Sequence, residues 1–401
     1  MDVATSNFLK RLNLGAMPLR DAVKCAVDLY RADPLFSVLY PSKCIRDDAK
    51  VVILGTTDFS RAFINASGGR VPILGVVDDF KAGKGETFEG LEIITTTKLL
   101  RLARSTTGLL CVNACRYDRA KRYFMEWTRH NGIPLVHYEQ AVRLFAWHPA
   151  RDHRLEDWAP VIAERFEDFM ALANRLNDDY SRETLYAVLL FHLTCEAEWY
   201  LNIMRPYIAL YFRSGLFYLS SEEKLVDCGA SVGESTSALI GITQGKFAHS
   251  WMVEPDRFNV ETLQKLTEGY ENTPIHSKLT ILPVAVGETS MRASFNHMGG
   301  HGGTVDLNGA GGEVAIERVD DLIDDAPTMI KMDVEGFEMS ALRGARNTIL
   351  TAKPRLAISA YHRATDLLEI PIYVDSLGVE YKIGLRHHTA DRWDTCLYFY
   401  R

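Results

Sequence analysis

Short apolar runs alternate with longer amphipathic segments along this chain of 401 residues. In the first half the apolar runs are VVILG (51–55), VPILGVVDD (71–79), GLLCVNA (108–114) and IPLVHY (133–138). In the second half they are KLVDCG (224–229), SWMVEP (250–255), LTILPVAVG (279–287), PTMIKMDVEG (327–336) and PRLAISAYH (354–362). Strands that alternate with helices form parallel sheets covered on both faces. The pattern therefore predicts two α/β units, each built on a Rossmann-like sheet.

The segments around these runs suggest how the chain is organised. We predict an N-terminal helical segment (1–48), a small Rossmann-like domain (49–150), an aromatic-rich helical connector (151–220) and a larger α/β domain (221–401). In the first segment Val23, Ala26 and Val27 recur at helical spacing. At the C terminus, EYKIGLRHH and TCLYFY are predicted to be strands, the last of them antiparallel.

Composition narrows the class of protein. Apolar residues make up 47% and charged residues 24% of the chain, as in ordinary globular proteins. Proteins that bind nucleic acid have a basic surface patch, so the net charge of −7 argues against a nucleic-acid partner. The seven cysteines are scattered, no apolar run reaches membrane-spanning length, and no secretory signal is recognisable. We therefore expect a cytoplasmic protein without a membrane span; homo-oligomer formation stays open.

The turn after KLVDCG is the first candidate site. Gly229 and Gly233 let backbone approach a ligand, and Glu254, at the end of the next strand, is placed to bind the two hydroxyls of a ribose. The loop lacks the full G-x-G-x-x-G spacing, which argues against pyrophosphate recognition. On the loop alone, glycines that merely allow a helix to pack close to a strand are an equally good explanation. With Asp227 and Glu254 included, a nucleoside ligand is favoured.

A second candidate site follows a later strand. Asp333 and Glu335 come directly after the apolar run MIKM, and His362 ends the run PRLAISAYH. Because ligands bind at the carboxyl ends of strands in α/β sheets, we expect these three side chains near Glu254. The structural alternative is that Glu335 caps the following helix and Asp333 pairs with Lys331. A metal ion is conceivable for an Asp/Glu/His set, but nothing in the spacing requires one, and we expect a metal-free site.

Two further stretches are weaker candidates. Ala285 and Val286 offer an apolar wall for a planar adenine, although buried-strand packing explains them equally well. Residues 299–312 contain seven glycines in fourteen positions and are predicted to be a mobile loop that closes over an acceptor. His297 and His301 flank its start as weaker acceptor contacts.

Six blocks in the second half resemble the FkbM family of S-adenosylmethionine-dependent methyltransferases. They are, in order, VDCGASVGES, VEPD, PVAVGE, RVDDLI, MIKMDVEGFEMSALRGA and PRLAISAYH. The helical run DDYSRETLYAVLLFHL and the segment YFRSGLFYL also resemble the region that precedes the catalytic domain in many members. The resemblance covers about residues 175–400.

The resemblance implies a class I methyltransferase fold, with a seven-stranded sheet and one antiparallel strand near its end. It implies S-adenosylmethionine as cofactor and O-methylation of a hydroxyl, often on a sugar or glycan. The implied cofactor-binding residues are Asp227, Gly229, Ala230, Gly233, Glu254 and Ala285. The implied catalytic residues are Asp333, Glu335 and His362. Two positions depart from the family pattern: Ser231, where asparagine is more frequent, and Ser359, where many members carry an acid.

The first α/β unit has a resemblance of its own. ILGTTDFSRAF and LGVVDDF are similar to the small N-terminal nucleotide-binding domain of PglD-type sugar acetyltransferases. Arg61 is then a candidate phosphate contact and Asp78 a candidate ribose contact, but a domain that only supports the acceptor fits equally well. Two other functions stay open: a non-catalytic sugar-nucleotide-binding or scaffold protein in glycan assembly, and, least favoured, an NAD-dependent enzyme.

Overall fold

The computed structural model describes residues 12–37, 40, 48–145, 155, 157–300, 303–306 and 312–401. Two compact units divide the chain. The first comprises Met1–Phe166, Leu185–Met204 and Thr389–Asp391, and the second comprises Glu167–Thr184, Arg205–His388 and Arg392–Arg401. The predicted domain boundaries after residues 48, 150 and 220 stay a prediction.

A six-stranded sheet forms the centre of the first unit. Its strands are β1 (Lys50–Leu54), β2 (Ile73–Val77), β3 (Thr87–Phe88), β4 (Leu91–Ile94), β5 (Leu109–Asn113) and β6 (Leu135–His137). Their order is β3-β4-β2-β1-β5-β6, and all neighbours are parallel except β3 and β4. Val51 and Ile53 pack into one hydrophobic cluster, whereas Val52 and Leu54 pack into another. The apolar run of β1 is therefore buried on both faces, as predicted.

The helices in the first half of the chain are divided between the two units, because Glu167–Thr184 belongs to the second. They are α1 (Leu19–Ala32), α2 (Asp58–Ser67), α3 (Thr96–Ser105), α4 (Asp118–His130), α5 (Tyr138–Phe145), α6 (Trp158–Glu164), α7 (Phe166–Arg175), α8 (Asp179–Thr194) and α9 (Glu198–Leu201). The N-terminal helix predicted from the spacing of Val23, Ala26 and Val27 is α1, and all three side chains are buried. Single 3₁₀ turns occur at Leu14–Ala16, Tyr207–Ala209 and His276–Lys278.

The second unit contains a larger sheet and a smaller one. Its strands are β7 (Lys224–Cys228), β8 (His249–Val253), β9 (Leu279–Leu282), β10 (Ala285–Val286), β11 (Met291–Asn296), β12 (Thr304–Asp306), β13 (Gly312–Glu317), β14 (Met329–Met332), β15 (Arg355–Ser359), β16 (Lys382–His387) and β17 (Thr395–Tyr400). Its helices are α10 (Glu234–Thr243), α11 (Arg257–Glu268), α12 (Val319–Leu322), α13 (Glu338–Gly344), α14 (Arg346–Ala352) and α15 (Asp366–Ser376).

The larger sheet has seven strands in the order β16-β17-β15-β14-β7-β8-β9. β17 runs antiparallel to both of its neighbours, and the other neighbouring pairs are parallel. This confirms the predicted seven-stranded Rossmann-like sheet with one antiparallel strand near its end. Because β7, β8, β14 and β15 are parallel, their carboxyl ends meet at one edge of the sheet.

The smaller sheet, in the order β10-β13-β11-β12, corrects one prediction. The glycine-rich segment 299–312 was expected to be a mobile loop, but residues 304–306 pair with β11, and Gly312 begins β13. The start of the segment is also fixed, because Asp256 Oδ2 accepts hydrogen bonds from Met298 N and Gly299 N, both over 2.9 Å. The paired stretch TVD (304–306) contains no glycine, and the β-branched Thr304 and Val305 favour a strand there.

None of the helices in the described part of the chain is long and apolar enough to cross a bilayer.

Candidate functional site

The candidate residues of the second unit cluster at the carboxyl edge of the seven-stranded sheet. Gly229 follows β7, Glu254 follows β8, Asp333 follows β14, and His362 lies three residues beyond β15. The fold therefore brings together residues that are more than a hundred positions apart in sequence. Two of the candidates, Glu254 and His362, are almost completely buried.

The turn after β7 is held by close packing. Gly229 has a φ of 76°, and a Cβ at this position would lie 1.9 Å from the carbonyl oxygen of Asp333. Gly233 has a φ of 91°, and a Cβ there would lie 2.6 Å from Leu266 Cδ2. Both positions therefore require glycine for the fold itself, because a side chain would collide with neighbouring atoms. Packing accounts for both glycines, and a ligand-binding role for them stays a prediction.

Asp227, predicted to bind a cofactor, is completely buried beside Lys331. In the parallel register of β7 and β14 the two residues lie directly opposite each other, and Lys331 Nζ is 3.2 Å from Asp227 Oδ1. Lys331 Nζ also donates to the carbonyl oxygen of Gly229 over 2.6 Å. Burial favours the neutral amine, but the charges of Asp227 and Asp333 outweigh it and raise the pKa of Lys331. Asp227 thus acts on the turn through Lys331.

Glu254 joins three parts of the site through hydrogen bonds. Its Oε2 accepts from Ser231 N over 2.8 Å, and its Oε1 accepts from Asp256 N over 2.9 Å. Asn259 Nδ2 donates to Gly300 O over 2.9 Å and is also within 3.4 Å of Glu254 Oε1. Burial raises the pKa of Glu254, although these hydrogen bonds favour the ionised form. The carboxylate is therefore fixed in direction, and each oxygen retains acceptor capacity.

The two alanines predicted to contact a cofactor lie in hydrophobic clusters. Ala230 packs with Met252 and Leu263, and its backbone N–H donates to Val253 O over 3.1 Å. Ala285 lies in β10 within the core of the smaller sheet. Both side chains are buried, so the packing explanation given for Ala285 applies to each of them.

Two tyrosines fix the carboxylate of Asp333. Tyr211 OH donates to Oδ2 over 2.8 Å, and Tyr361 OH donates to Oδ1 over 3.2 Å. Burial favours the neutral acid, but the charges of Lys331 and His362 and the hydrogen bond from Tyr211 lower the pKa of Asp333. Tyr211 has a φ of 64°, an unfavourable conformation for a bulky residue, which the surrounding packing must maintain.

His362 lies between carboxylates. Its Nδ1 is 2.9 Å from Glu338 Oε1, and its Nε2 is 3.4 Å from Glu335 Oε2 and 3.7 Å from Asp333 Oδ1. Burial favours neutral imidazole, but these three acids, Glu338 first, raise the pKa of His362 well above its usual value. The surrounding acids therefore favour the imidazolium form of His362.

Glu338 was not predicted from the sequence, although it is completely buried at the start of α13. Its Oε1 accepts from Val334 N over 2.9 Å, which is the helix-start role that the structural alternative gave to Glu335. Glu335 instead has a φ of 53°, its carboxylate faces His362, and Gly336 follows with a φ of 95°. The sequence signal for Glu338 was its position three residues after Glu335, at the start of the predicted helix EMSALRGARNTIL.

Comparisons with known proteins identify the family to which this arrangement belongs. A family model described as the methyltransferase FkbM domain matches residues 227–381. The crystal structure of methyltransferase FkbM from Methylobacillus flagellatus KT is 46% identical and aligns with a TM-score of 0.79. The alignment covers 95% of this chain and 99% of that chain. The chain belongs to the FkbM family of methyltransferases.

Two other solved structures align only weakly with this chain. A fibrillarin/Nop5p complex is 14% identical with a TM-score of 0.31, covering 57% of this chain and 87% of that one. The structure "PigF with SAH" is 11% identical with a TM-score of 0.28, covering 69% of this chain and 86% of that one. Structural similarities this weak say nothing about the function of this chain. A search among curated proteins found no match.

In this FkbM methyltransferase, His297 contacts the start of helix α11. His297 Nδ1 lies 3.3 Å from Arg257 N and 3.8 Å from Asp256 Oδ1, at the fixed start of the segment. His301 lies outside the described residues.

The candidate residues of the first unit are engaged with their neighbours. Arg61 Nε donates to Glu89 Oε1 over 2.7 Å, and Thr56 Oγ1 donates to Asp78 Oδ2 over 2.6 Å. Lys81 Nζ donates to Thr56 Oγ1 over 2.7 Å. The expected phosphate contact, Arg61, and the expected ribose contact, Asp78, thus each have a protein partner.

Proposed function

We propose that this FkbM methyltransferase is an S-adenosylmethionine-dependent O-methyltransferase that acts on a hydroxyl of a sugar, glycan or related small molecule. The observation that supports it most directly is the shared sheet edge. There Glu254, an acid positioned to bind a ribose, lies on the same edge as the cluster of Asp333, Glu335 and His362. A methyl donor and a hydroxyl acceptor need these two kinds of group side by side.

The residues present fit the donor. A ribose needs a fixed acceptor at the strand end after the glycine turn, and the buried, directed carboxylate of Glu254 supplies one. Gly229, Ala230 and Gly233 present backbone without large side chains. Asp227 would act indirectly, by holding Lys331 against the carbonyl of Gly229. Ala285 would contribute an apolar contact through the small sheet.

When bound, S-adenosylmethionine supplies an activated methyl group on a sulfonium, which an oxygen nucleophile displaces. The protein's share is alignment, exclusion of water and acceptance of the hydroxyl proton. Because His362 faces carboxylates on both ring nitrogens, we assign proton acceptance to a carboxylate, Asp333 or Glu335. His362 then holds these two carboxylates in place and balances their charge.

Calorimetry with S-adenosylmethionine tests the donor side. The wild type should bind one equivalent, and Glu254→Ala should weaken that binding because the ribose acceptor is lost. Asp227→Ala should also weaken it, through displacement of the Gly229 turn. Absence of binding to the folded wild type would favour the alternative function, a non-catalytic sugar-nucleotide-binding or scaffold protein.

Turnover tests the acceptor side. Release of S-adenosylhomocysteine in the presence of a panel of sugars and glycans should fall in Asp333→Asn and His362→Asn, while donor affinity is largely kept. An equal loss of donor binding in these variants and in Glu254→Ala would contradict the division of labour. Monosaccharides that stimulate no release, when other hydroxyl compounds do, would exclude a sugar acceptor.

We extend the proposal to the first half of the chain. The small Rossmann-like domain (49–150), with its PglD-type resemblance, would support or orient the acceptor, between the helical segment (1–48) and the connector (151–220) that precedes the methyltransferase domain (221–401). The hydrogen bonds of Thr56 with Asp78 and Lys81 favour a supporting role over nucleotide binding. We therefore expect calorimetric titrations of the protein with NAD and with UDP-sugars to show no binding.

A further inference from the structure

We propose that Asp333, Glu338 and His362 form a binding site for one divalent cation of the Mn²⁺ type. Binding of the ion itself does not depend on the methyl donor. Its use in catalysis rests on the proposed function, because the ion would lie where the acceptor hydroxyl is expected to bind.

The three side chains already converge. One potential ligand atom from each of them lies within 4.8 Å of the others. Ligands of one cation with bonds of about 2.1 Å are about 3.0 Å apart when adjacent and about 4.2 Å apart when opposite, so closure needs side-chain shifts of up to about 2 Å. Register and local turns fix this convergence: Asp333 follows β14, Glu338 begins α13, and His362 lies beyond β15.

Buried polar atoms at this point lack the partners that such atoms normally have. Glu338 Oε2 and both ring nitrogens of His362 make no hydrogen bond of acceptable geometry among the described residues. His362 Nδ1 lies 2.9 Å from Glu338 Oε1, which is an ionic contact. Glu338 is 0% exposed and His362 is 1% exposed. Unsatisfied groups this deeply buried are costly and need an explanation.

The local charge also leaves room for a divalent ion. The carboxylates on and around the strand ends are those of Asp227, Asp333, Glu335, Glu338 and Asp366. The cationic groups near them are those of Lys331, His362 and Arg363. Carboxylates therefore outnumber the cationic groups around the cluster, and a divalent cation would be attracted to it.

The donor set indicates the class of ion. Two carboxylate oxygens and one imidazole nitrogen suit a first-row divalent ion that accepts mixed ligands and keeps open positions. The side chains of Asp333 and Glu335 are each 22% exposed, so the cluster is accessible from that side. An acceptor hydroxyl could occupy an open position, where the ion would lower the pKa of the hydroxyl and orient its oxygen.

Mn²⁺ binding to the metal-stripped full-length protein, followed by electron paramagnetic resonance, tests the site. The wild type should bind one equivalent saturably, and Zn²⁺ should displace it, as the order of affinities for divalent ions predicts. Glu338→Gln keeps the acceptor for Val334 N but loses a charge, and His362→Asn loses the nitrogen ligand. Each should weaken Mn²⁺ binding at least tenfold. Glu369→Gln is the matched control, because Glu369 is an exposed acid on α15, and it should leave the affinity unchanged.

Two results would overturn the proposal: no saturable Mn²⁺ signal in the wild type, or variants that bind Mn²⁺ as the wild type does. Should Glu338→Gln fail to fold, Asp333→Asn provides the same test, and circular dichroism identifies folded variants. S-adenosylmethionine calorimetry on the same preparation separates the two proposals. Donor binding without Mn²⁺ binding rejects only the cation site, whereas the converse rejects only the proposed function.

Discussion

The carboxyl edges of the two sheets have similar topology but differ in how they handle charge. Around the ends of β1, β2 and β5 in the six-stranded sheet, polar groups pair with one another at the surface: the side chains of Arg61, Lys81 and Arg116 are 56%, 48% and 61% exposed. At the edge of the seven-stranded sheet, Asp227 and Lys331 are paired out of contact with water. Burial of charge is expensive, so a protein maintains it where the charge has a task. The first unit also buries charge, since Lys121 pairs with Asp391 and Glu139 is buried just past β6. The two sheets therefore differ at the strand ends that carry the candidate residues, and burial of a carboxylate does not by itself indicate a site.

The largest difference should appear when one ion pair from each edge is broken. Lys331→Met leaves the carboxylate of Asp227 buried without a cation, and we expect a loss of about 3–5 kcal/mol in the free energy of unfolding. Arg116→Met removes the partner of Asp58 at the surface, where the expected loss is below about 1 kcal/mol. Urea unfolding followed by circular dichroism measures both.

The double variant Lys331→Met with Asp227→Leu sharpens this test. It removes both charges, so most of the lost stability should return. A double variant as unstable as Lys331→Met alone would mean that the hydrogen bond from Lys331 to Gly229 O, and not the buried charge, maintains the edge.

The turn glycines give the second contrast. Gly229→Ala introduces a Cβ only 1.9 Å from Asp333 O, and its positive φ adds strain. Overpacking and strain together predict a loss of about 2–5 kcal/mol. Gly55, after β1, also has a positive φ, but a Cβ there would be 3.0 Å from the nearest atom, Cys115 Sγ, so Gly55→Ala should cost about 1–2 kcal/mol. Unfolding midpoints should rank the variants in this order, and the reverse ranking would show that the Gly229 turn can shift.

This contrast also shows what the sequence could predict. The strand–turn–helix at β7, the acids at the ends of β8 and β14, and the antiparallel β17 follow from local patterns, and the fold confirms those elements. The ion pair between Asp227 and Lys331 could not be derived in that way. It depends on which strands are neighbours and in what register, and β7 and β14 are about a hundred residues apart.

Two other residues of the site, Tyr211 and Glu338, could not be predicted from the sequence for a similar reason. Tyr211 reaches Asp333 from a segment before the first strand of the unit, in a backbone conformation that sequence does not favour for tyrosine. Glu338 could not be singled out in the sequence, because its contact with His362, which follows β15, depends on tertiary packing. Local pattern identifies strand ends, and only tertiary packing determines what approaches them.

Acid should affect the two units differently. His388, in the second unit, is buried against Pro206 O and Tyr398 OH, and its burial, with Arg205 and Arg386 nearby, lowers its pKa to about 4. The unfolded chain takes up a proton near pH 6.5 and the folded chain does not, so stability is lost as the pH falls from about 6.5 toward 4.

His388→Gln should therefore remove part of the acid sensitivity. Between pH 6.5 and pH 5, the wild type should lose about 2 kcal/mol more than this variant. His130→Gln, at an exposed position on α4 of the first unit, is the matched control and should follow the wild type. Unfolding midpoints measured at both pH values decide this, and equal losses in the wild type and His388→Gln would mean that His388 gains solvent in the folded protein.

The smallest expected effect concerns the donor. Glu254→Gln keeps the size of the side chain but loses an acceptor for a ribose hydroxyl, so donor affinity should fall about tenfold, or about 1.4 kcal/mol. Asp78→Asn makes the same change at the end of β2 in the first unit, where the carboxylate already accepts from Thr56, and donor affinity should not change. Calorimetry with S-adenosylhomocysteine measures both variants against the wild type. If Asp78→Asn weakens binding as much as Glu254→Gln, the exposed edge of the first unit also contributes to donor binding, and the contrast between buried and surface charge would no longer distinguish the two sheets.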